Sequence, residues 1–417
     1  MAVKAALPAL PAFSGYGIEL EYMIVDREYL SIRPIADKLL HQLSGEYASE
    51  VEHGRLAWSN EIVLHLIELK NAHPEPVIES LPALFQSEIQ RINRELESLS
   101  AKLMPSAMHP WMDPRLETAL WPRDNAEIYR AYDRIFNCKR HGWANLQSMH
   151  LNMPFADDAE FARLHTAIRL LLPILPALAA SSPITEGHHA GFLDGRMAHY
   201  LTHQMKIPST MGKVIPDTIT THASYETQIL APMYREIAAL DSEGVLQHEW
   251  LNVRGAVARF VRNAIEIRVI DVQECPYADL AIAAVVRDIV HALYDQRTAA
   301  LADQQAISTD ALVKILHDCI RDGEQARITD HQYLALLGFS LQHCEARELW
   351  QHLIVSMIPE QTRQPWQEAL TTILEQGPLA RRILRVIDQD FSQTRLQAVY
   401  RELCDCLAEG RLFRGIG

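Results

Sequence analysis

Glu19 and Glu21 stand two residues apart in Gly17-Ile18-Glu19-Leu20-Glu21-Tyr22-Met23-Ile24-Val25-Asp26, a stretch otherwise dominated by apolar, β-branched or aromatic side chains. Side chains alternate along a strand, so the two glutamates share one face while Ile18, Leu20 and Tyr22 share the other. Neighbouring carboxylates repel each other and resist burial. A cation between them relieves both costs, and hard oxygen donors suit Mg²⁺ or Mn²⁺. Taken alone, an edge strand with one wetted face explains the pair equally well. Three later stretches repeat the pattern.

Glu61 and Glu68 lie seven apart within 60–70, which on a continuous strand puts them on opposite faces. Either a bulge or loop intervenes, or only one joins Glu19 and Glu21. Glu68, deeper in the apolar run where a lone charge costs more, is favoured. Within 147–154, His150 and Asn152 share a face; a strand histidine is ordinarily a core residue and becomes a ligand only beside carboxylates. Within 263–271, Glu266 and Arg268 project together, which alone reads as a structural ion pair. Jointly, these acids, one imidazole and one guanidinium are equipment for holding a cation-bound nucleotide and a phosphoryl group in transfer. The sequence has no GxxxxGK[ST], no GxGxxG before a helix and no HExxH, so a P-loop or Rossmann site is not indicated.

The apolar pattern says which elements must position these residues. Helices are expected over 34–43, 125–136, 277–302 and, from Leu81, Leu84, Phe85, Ile89, Ile92, Leu96 and Leu99, over 81–103. A further helix over 159–180 is interrupted near Pro173 and Pro176. Strand material is expected at 17–26, 56–72, 145–154 and 264–272. Pro105, Pro110, Pro114 and Pro122 make 104–125 a structured loop, and 181–196 is a Gly/His-rich loop. Segment 199–247 is mixed. Beyond 302 only helical patterns occur, with core stripes at 312–319, 334–341 and 349–357. The expected fold class is α+β: a tail over 1–14, a catalytic region with an antiparallel sheet and flanking helices over 15–300, and a helical C-terminal part over 301–417. The last boundary is soft enough for the two parts to form one domain.

A net charge of −14 over 417 residues argues against nucleic acid or anionic membrane as a main partner. No continuous apolar run reaches the roughly 18–20 residues of a membrane span. The N-terminus lacks the apolar core of a signal peptide. Six cysteines without CxxC spacing suit reduced thiols and a cytoplasmic location.

Gly17-Ile18-Glu19-Leu20-Glu21-Tyr22 and the Glu61–Glu68 stretch resemble the glutamate–cysteine ligase type 2 family of carboxylate–amine ligases. Later features follow in matching order: Ser148-Met149-His150-Leu151-Asn152, Ser181-Ser182-Pro183 with Glu186-Gly187, Gly191 and Arg196, and Ile265-Glu266-Ile267-Arg268 with Asp271. The resemblance spans about 15–300 and implies a glutamine-synthetase-like fold, whose curved antiparallel sheet carries the metal ligands. It further implies that ATP phosphorylates a carboxylate, classically the γ-carboxyl of glutamate, and that an amine such as cysteine's then attacks the acyl phosphate. By the same resemblance Glu19, Glu21, Glu68, His150 and Glu266 are Mg²⁺ ligands (Mn²⁺ serving as well), and Arg268 steadies the transferring phosphoryl. Arg196 holds a substrate carboxylate, and Glu61 and Asn152 orient substrate or ligands. The family more often has an acid where this chain has Leu20. The pair His188-His189 and the Glu274-Cys275-Pro276 turn are not placed by the resemblance.

The expected partners are thus a small glutamate-like carboxylate and a small amine, without nucleic acid or membrane and with self-association open. Segments 104–125 and 183–196 are candidate covers that keep water from an acyl phosphate. Two other readings stand beside the ligase. One is a zinc hydrolase using His188, His189, His199 and His203, the last two an i, i+4 pair. The other is a non-catalytic nucleotide or metabolite binder of the same fold.

Overall fold

The computed structural model describes residues 9–416, so the first eight residues of the expected tail lie outside the described residues. Its frame is an antiparallel sheet. The N-terminal half supplies β1 (Gly17–Asp26), β2 (Glu50–His53), β3 (Leu56–Asn60), β4 (Leu66–Asn71), β5 (Ala101–Met104) and β6 (Ser148–Pro154). A two-residue hairpin, β7 (Ile184–Thr185) with β8 (His188–His189), stands apart, and β9 (Ala256–Arg259) and β10 (Ala264–Asp271) complete the large sheet. The strand order is β2-β3-β4-β1-β6-β10-β9, with β5 pairing the far end of β1.

β1 is central because its two faces serve two cores. Ile18, Leu20, Tyr22 and Ile24 point into the main core, while Met23 and Val25 join a second cluster. Leu20 is fully buried on the apolar face, so an acid at that position would point away from Glu19 and Glu21. The seven-residue spacing of Glu61 and Glu68 is resolved by a loop over 61–65 between β3 and β4. Two hydrogen bonds tie that loop to the Pro-rich segment: Leu64 N to Ala119 O and Trp121 N to Ile62 O, each 2.9 Å.

Two expected elements differ from those observed, and two short strands were not expected. The helix expected over 81–103 runs only Pro82–Glu97. Ser100 then adopts φ 53° and the chain turns into β5, so Leu103 belongs to a strand. The helix expected to reach 302 ends at Tyr294. β2 and β9, at four residues each, are too short for a period-2 pattern to reveal. The apolar stretch Asp158–Ala179 breaks at Pro173 as expected. It is long and apolar enough on average to cross a membrane, yet 94% of an 18-residue apolar window within it is buried inside the protein.

Beyond residue 300 the regular structure among the described residues is helical apart from the two-residue pair β11 (Arg327–Ile328) and β12 (Cys344–Glu345). Leu312, Leu316, Trp350 and Leu353 enter the same core as Ile18 and Leu151. Leu396, Val399, Tyr400 and Leu403 close over Met23, Val25 and Met104. The Glu274-Cys275-Pro276 turn fastens this part to the sheet. Glu274 accepts from Arg382 Nη1 at 2.6 Å and from Phe413 N at 3.2 Å, and Arg382 Nη1 also donates to Phe413 O at 2.8 Å.

Candidate active site

The register stacks the polar side chains onto one sheet face. Glu21 pairs with Glu68 across β1 and β4, Glu19 with Lys70 on one side and His150 on the other, and Asn152 with Glu266. Four strands therefore present Glu68, Glu21, Glu19, His150 and Glu266 together, with Arg268 two residues beyond Glu266. Glu61 reaches the same place from its loop. Two sets of donor atoms converge to within 4.8 Å of one another: Glu19, Glu68 and His150, and Glu21, Glu61 and Glu68.

Protein donors hold these carboxylates in a recurring way. Glu21 Oε2 accepts from Ser148 N at 2.7 Å and Ser148 Oγ at 3.0 Å, leaving Oε1 without a hydrogen bond among the described residues. Glu68 Oε1 accepts from Ser59 Oγ at 2.7 Å and Lys70 Nζ at 2.9 Å, leaving Oε2 likewise. Glu266 Oε2 accepts from Arg259 Nε at 2.9 Å, with Nη2 of the same guanidinium in ion contact at 2.8 Å. Glu19 is held at both oxygens, by Asn152 Nδ2 at 3.0 Å and His150 Nδ1 at 2.9 Å. Ser148 Oγ lies 2.8 Å from His150 Nε2 and so fixes the ring from its other side.

The electrostatics follow from the crowding. Burial, then the charges of Glu21 and Glu68, push the Glu61 carboxyl well above the usual carboxylate range. Burial and the Glu19 charge likewise raise Glu68 against the pull of Lys70. Burial works the same way on Glu19, but the His150 hydrogen bond and charge, with Lys70 and Arg259, outweigh it and hold that carboxyl low. At Glu266 the charges of Arg259 and Arg268 overcome burial and lower it. The centre is thus rich in anions that compete for protons, flanked by Lys70 on one side and two arginines on the other. Such a donor set fits a hard divalent cation.

Arg196 is 1% exposed. Its Nε donates to Asp271 Oδ1 and its Nη1 to Arg268 O at 3.2 Å, while Nη2 has no partner among the described residues. Gly195 places it: an added Cβ there would stand 2.4 Å from Ser182 O, so no larger residue lets this loop approach. Asp271 Oδ2 in turn accepts from Ser181 N and Ser182 Oγ, both at 2.8 Å. The Ser181-Ser182 and Asp271 features of the sequence therefore form one cradle around Arg196.

The two candidate covers are joined to each other. Gly187 N donates to Pro110 O at 2.8 Å, and Ala107 N donates to Ser181 Oγ at 3.0 Å. Tyr129, on the helix Ala126–Phe136, lines the other side, its hydroxyl 3.1 Å from Asn60 Nδ2. Burial and the Glu61 charge raise that phenol to about 12. The histidines of the zinc reading do not gather. Among the described residues, no convergent donor set contains His188, His189, His199 or His203, and His203 Nδ1 lies 2.6 Å from Tyr200 O.

Arg259, Lys70, Ser59 and Ser148 escaped the sequence reading. Lys70 and Ser148 had a signal, since each lies two residues from a candidate ligand and so shares its face. Arg259 had none, because its strand was not recognised.

The sequence matches the family model described as Glutamate-cysteine ligase family 2 over residues 16–402. An uncharacterized protein of Archaeoglobus fulgidus is 31% identical over 398 residues, covering 95% of this chain and 99% of that one. A protein provisionally named glutamate–cysteine ligase 2, from Bradyrhizobium diazoefficiens, is 22% identical across 67% of this chain and 59% of its own length. Glutamate–cysteine ligase of Francisella tularensis, solved in complex with AMP, shares the fold with a TM-score of 0.59 at 14% identity, over 94% of this chain and 88% of that one. A bifunctional glutathione synthetase from Pasteurella multocida gives the same TM-score at 13% identity, over 95% of this chain and 53% of that one. Since the family match takes in all four strands of the acidic face, the chain belongs to glutamate–cysteine ligase family 2.

Proposed function

We propose that this chain is an ATP-dependent carboxylate–amine ligase that forms an amide through an acyl phosphate. The observation that carries the reading is the set of buried carboxylates on one sheet face, each of Glu21, Glu68 and Glu266 fixed by protein donors through one oxygen. Family membership supports the ligase class, and the AMP complex of the Francisella tularensis enzyme supports a nucleotide in this fold. Glu19, Glu21, Glu68, His150 and Glu266 would hold Mg²⁺ or Mn²⁺, with Glu61 beside them. A cation there would neutralise phosphate oxygens and the charge that develops on them.

The chain's own groups divide the remaining work. A carboxylate oxygen of the first substrate attacks the γ-phosphorus of ATP, the bond to the bridging oxygen breaks, and ADP leaves. Arg268 steadies charge on the moving phosphoryl through a permanently protonated guanidinium. An amine then attacks the acyl carbon, phosphate departs, and the amine loses a proton. Arg196, with one buried N–H group unpartnered, is suited to a substrate carboxylate. The joined 104–125 and 183–196 segments would exclude water from the acyl phosphate. Glutamate and cysteine are the proposed substrates, both small molecules. A cytoplasmic location is proposed on the six cysteines, all free and buried.

The test is ADP release from Mg²⁺–ATP with glutamate, with and without cysteine and a panel of other amines. Release requiring glutamate and cysteine, with an amide of the right mass, establishes that pair. Release with another pair reassigns the substrates. A folded protein that releases no ADP with any pair and binds no nucleotide refutes the ligase reading.

A further inference from the structure

Two arginines meet one carboxylate here, and they are held differently. Arg259, at the end of the edge strand β9, donates a hydrogen bond from Nε to Glu266 Oε2 at 2.9 Å, with its Nη2 in ion contact with the same oxygen at 2.8 Å. Arg268 approaches the other oxygen, its Nε 2.9 Å from Oε1, but off the hydrogen-bond axis, so this N–H has no hydrogen-bond partner among the described residues. One guanidinium is therefore a fixed clamp and the other a loose ion contact. The Glu266 side chain is only 3% exposed, so losing either contact leaves its charge poorly solvated. Oε1 also stands 4.0 Å from His150 Nδ1, toward the converging donors of the acidic centre.

Resting on the ligase reading, we infer that Arg259 is a positioning residue that keeps Glu266 at the acidic centre while Arg268 is handed from that carboxylate to an incoming phosphate. A phosphate oxygen offers Arg268 a better-aligned acceptor than the one it has. Once Arg268 turns, Glu266 Oε1 is open to a divalent cation. Without the Arg259 clamp, the Glu266 carboxylate is free to follow Arg268, and the cation loses a ligand. The clamp acts through Glu266 and touches neither substrate.

The experiment is Mn²⁺ binding to the full chain, measured by electron paramagnetic resonance with the β,γ-imido analogue of ATP present, alongside analogue binding without metal. Arg259→Met should raise the Mn²⁺ dissociation constant about tenfold or more, the range seen when partners of metal ligands are removed. Metal-free analogue binding should stay unchanged. Arg259→Lys should recover part of the loss, because an ammonium keeps the charge beside Glu266 but not the fixed Nε–H donor. Adding Arg259→Met to Glu266→Gln should weaken Mn²⁺ no further than Glu266→Gln alone. Unchanged Mn²⁺ affinity in Arg259→Met overturns the inference. So does an equal loss of metal-free analogue binding, which a generally loosened site would give. If Arg259→Met does not fold, Arg259→Lys carries the same test, and wild-type Mn²⁺ affinity in it overturns the inference. A wild-type chain that binds neither Mn²⁺ nor the analogue removes the ligase reading and the inference with it.

Discussion

Replacing Glu274 by Gln should lower thermal stability by an amount the structure allows to be worked out. Glu274 and Arg382 have side chains 0% and 2% exposed, and the carboxylate also accepts from Phe413 N. Glutamine keeps the shape but leaves the guanidinium uncompensated in the interior, a loss of about 3–5 kcal/mol. Unfolding entropy near the midpoint is about 2.1 cal/mol/K per residue, or about 0.9 kcal/mol/K for the whole chain, so the midpoint should fall by about 3–6 °C. A C-terminal part that melted by itself would carry only about 0.25 kcal/mol/K and would drop by about 12–20 °C in a separate, earlier transition. Differential scanning calorimetry distinguishes the two and so decides whether 301–417 is a domain of its own. Replacing both partners, as in Glu274→Met with Arg382→Met, should restore most of the loss, since the pair's own desolvation cost disappears with it. A Glu274→Gln midpoint within about 1 °C of wild type would refute the reasoning.

At the site, Glu19→Gln and Glu266→Gln should each abolish cation-dependent ADP release while leaving the circular dichroism spectrum unchanged, and Arg268→Lys should be severely impaired because an ammonium lacks the planar fork. Acid should destabilise the protein through its buried histidines: burial lowers His65 and His109 to about 4 and His165 and His203 to about 3 from an ordinary 6.5. The unfolded chain then binds protons first, so stability is full above pH 6.5 and is lost as pH falls from there toward 4 and 3. Each histidine contributes about 2 kcal/mol of that loss by pH 5. Denaturant midpoints at pH 7.5 and 5 measure it, and His165→Phe should flatten the slope. Because Gly187 N is bonded to Pro110 O, nucleotide should protect 104–125 and 183–196 from proteolysis together; protection of one alone would show that they move independently.

The grouping of side chains on the central strands was legible because alternation on β1, β6 and β10 fixes which of them share a face, whatever the partner strand. Register was not legible. Nothing in 17–26 or 60–70 says that Glu21 lies opposite Glu68, and a one-residue slip would have sent every acid to the core face. Glu61 shows the limit from the other side: its spacing from Glu68 demanded an interruption, and the loop over 61–65 supplies one, but its return to the acidic centre depends on bonds to Ala119 and Trp121 that no local pattern encodes. Arg259 was hidden because a four-residue edge strand has too few alternations to stand out. The helix expected over 81–103 overran because Leu99 and Leu103 continue an apolar spacing past the turn at Ser100, where backbone geometry, and not hydrophobicity, ends the element.

β1 lies between β4 and β6, and β6 is in turn covered by β10, so the chain must pass from Glu19 to Arg268 before the acidic face is whole. During synthesis the two glutamates of β1 emerge long before His150, and longer still before the arginines that balance them. A product ending ahead of residue 264 would leave β6 as an open sheet edge beside unneutralised acids, a template for self-pairing with nothing to offer a substrate. A chain that stops in that interval therefore lacks Glu266 and Arg268 outright, and its acidic face is incomplete and not merely weakened.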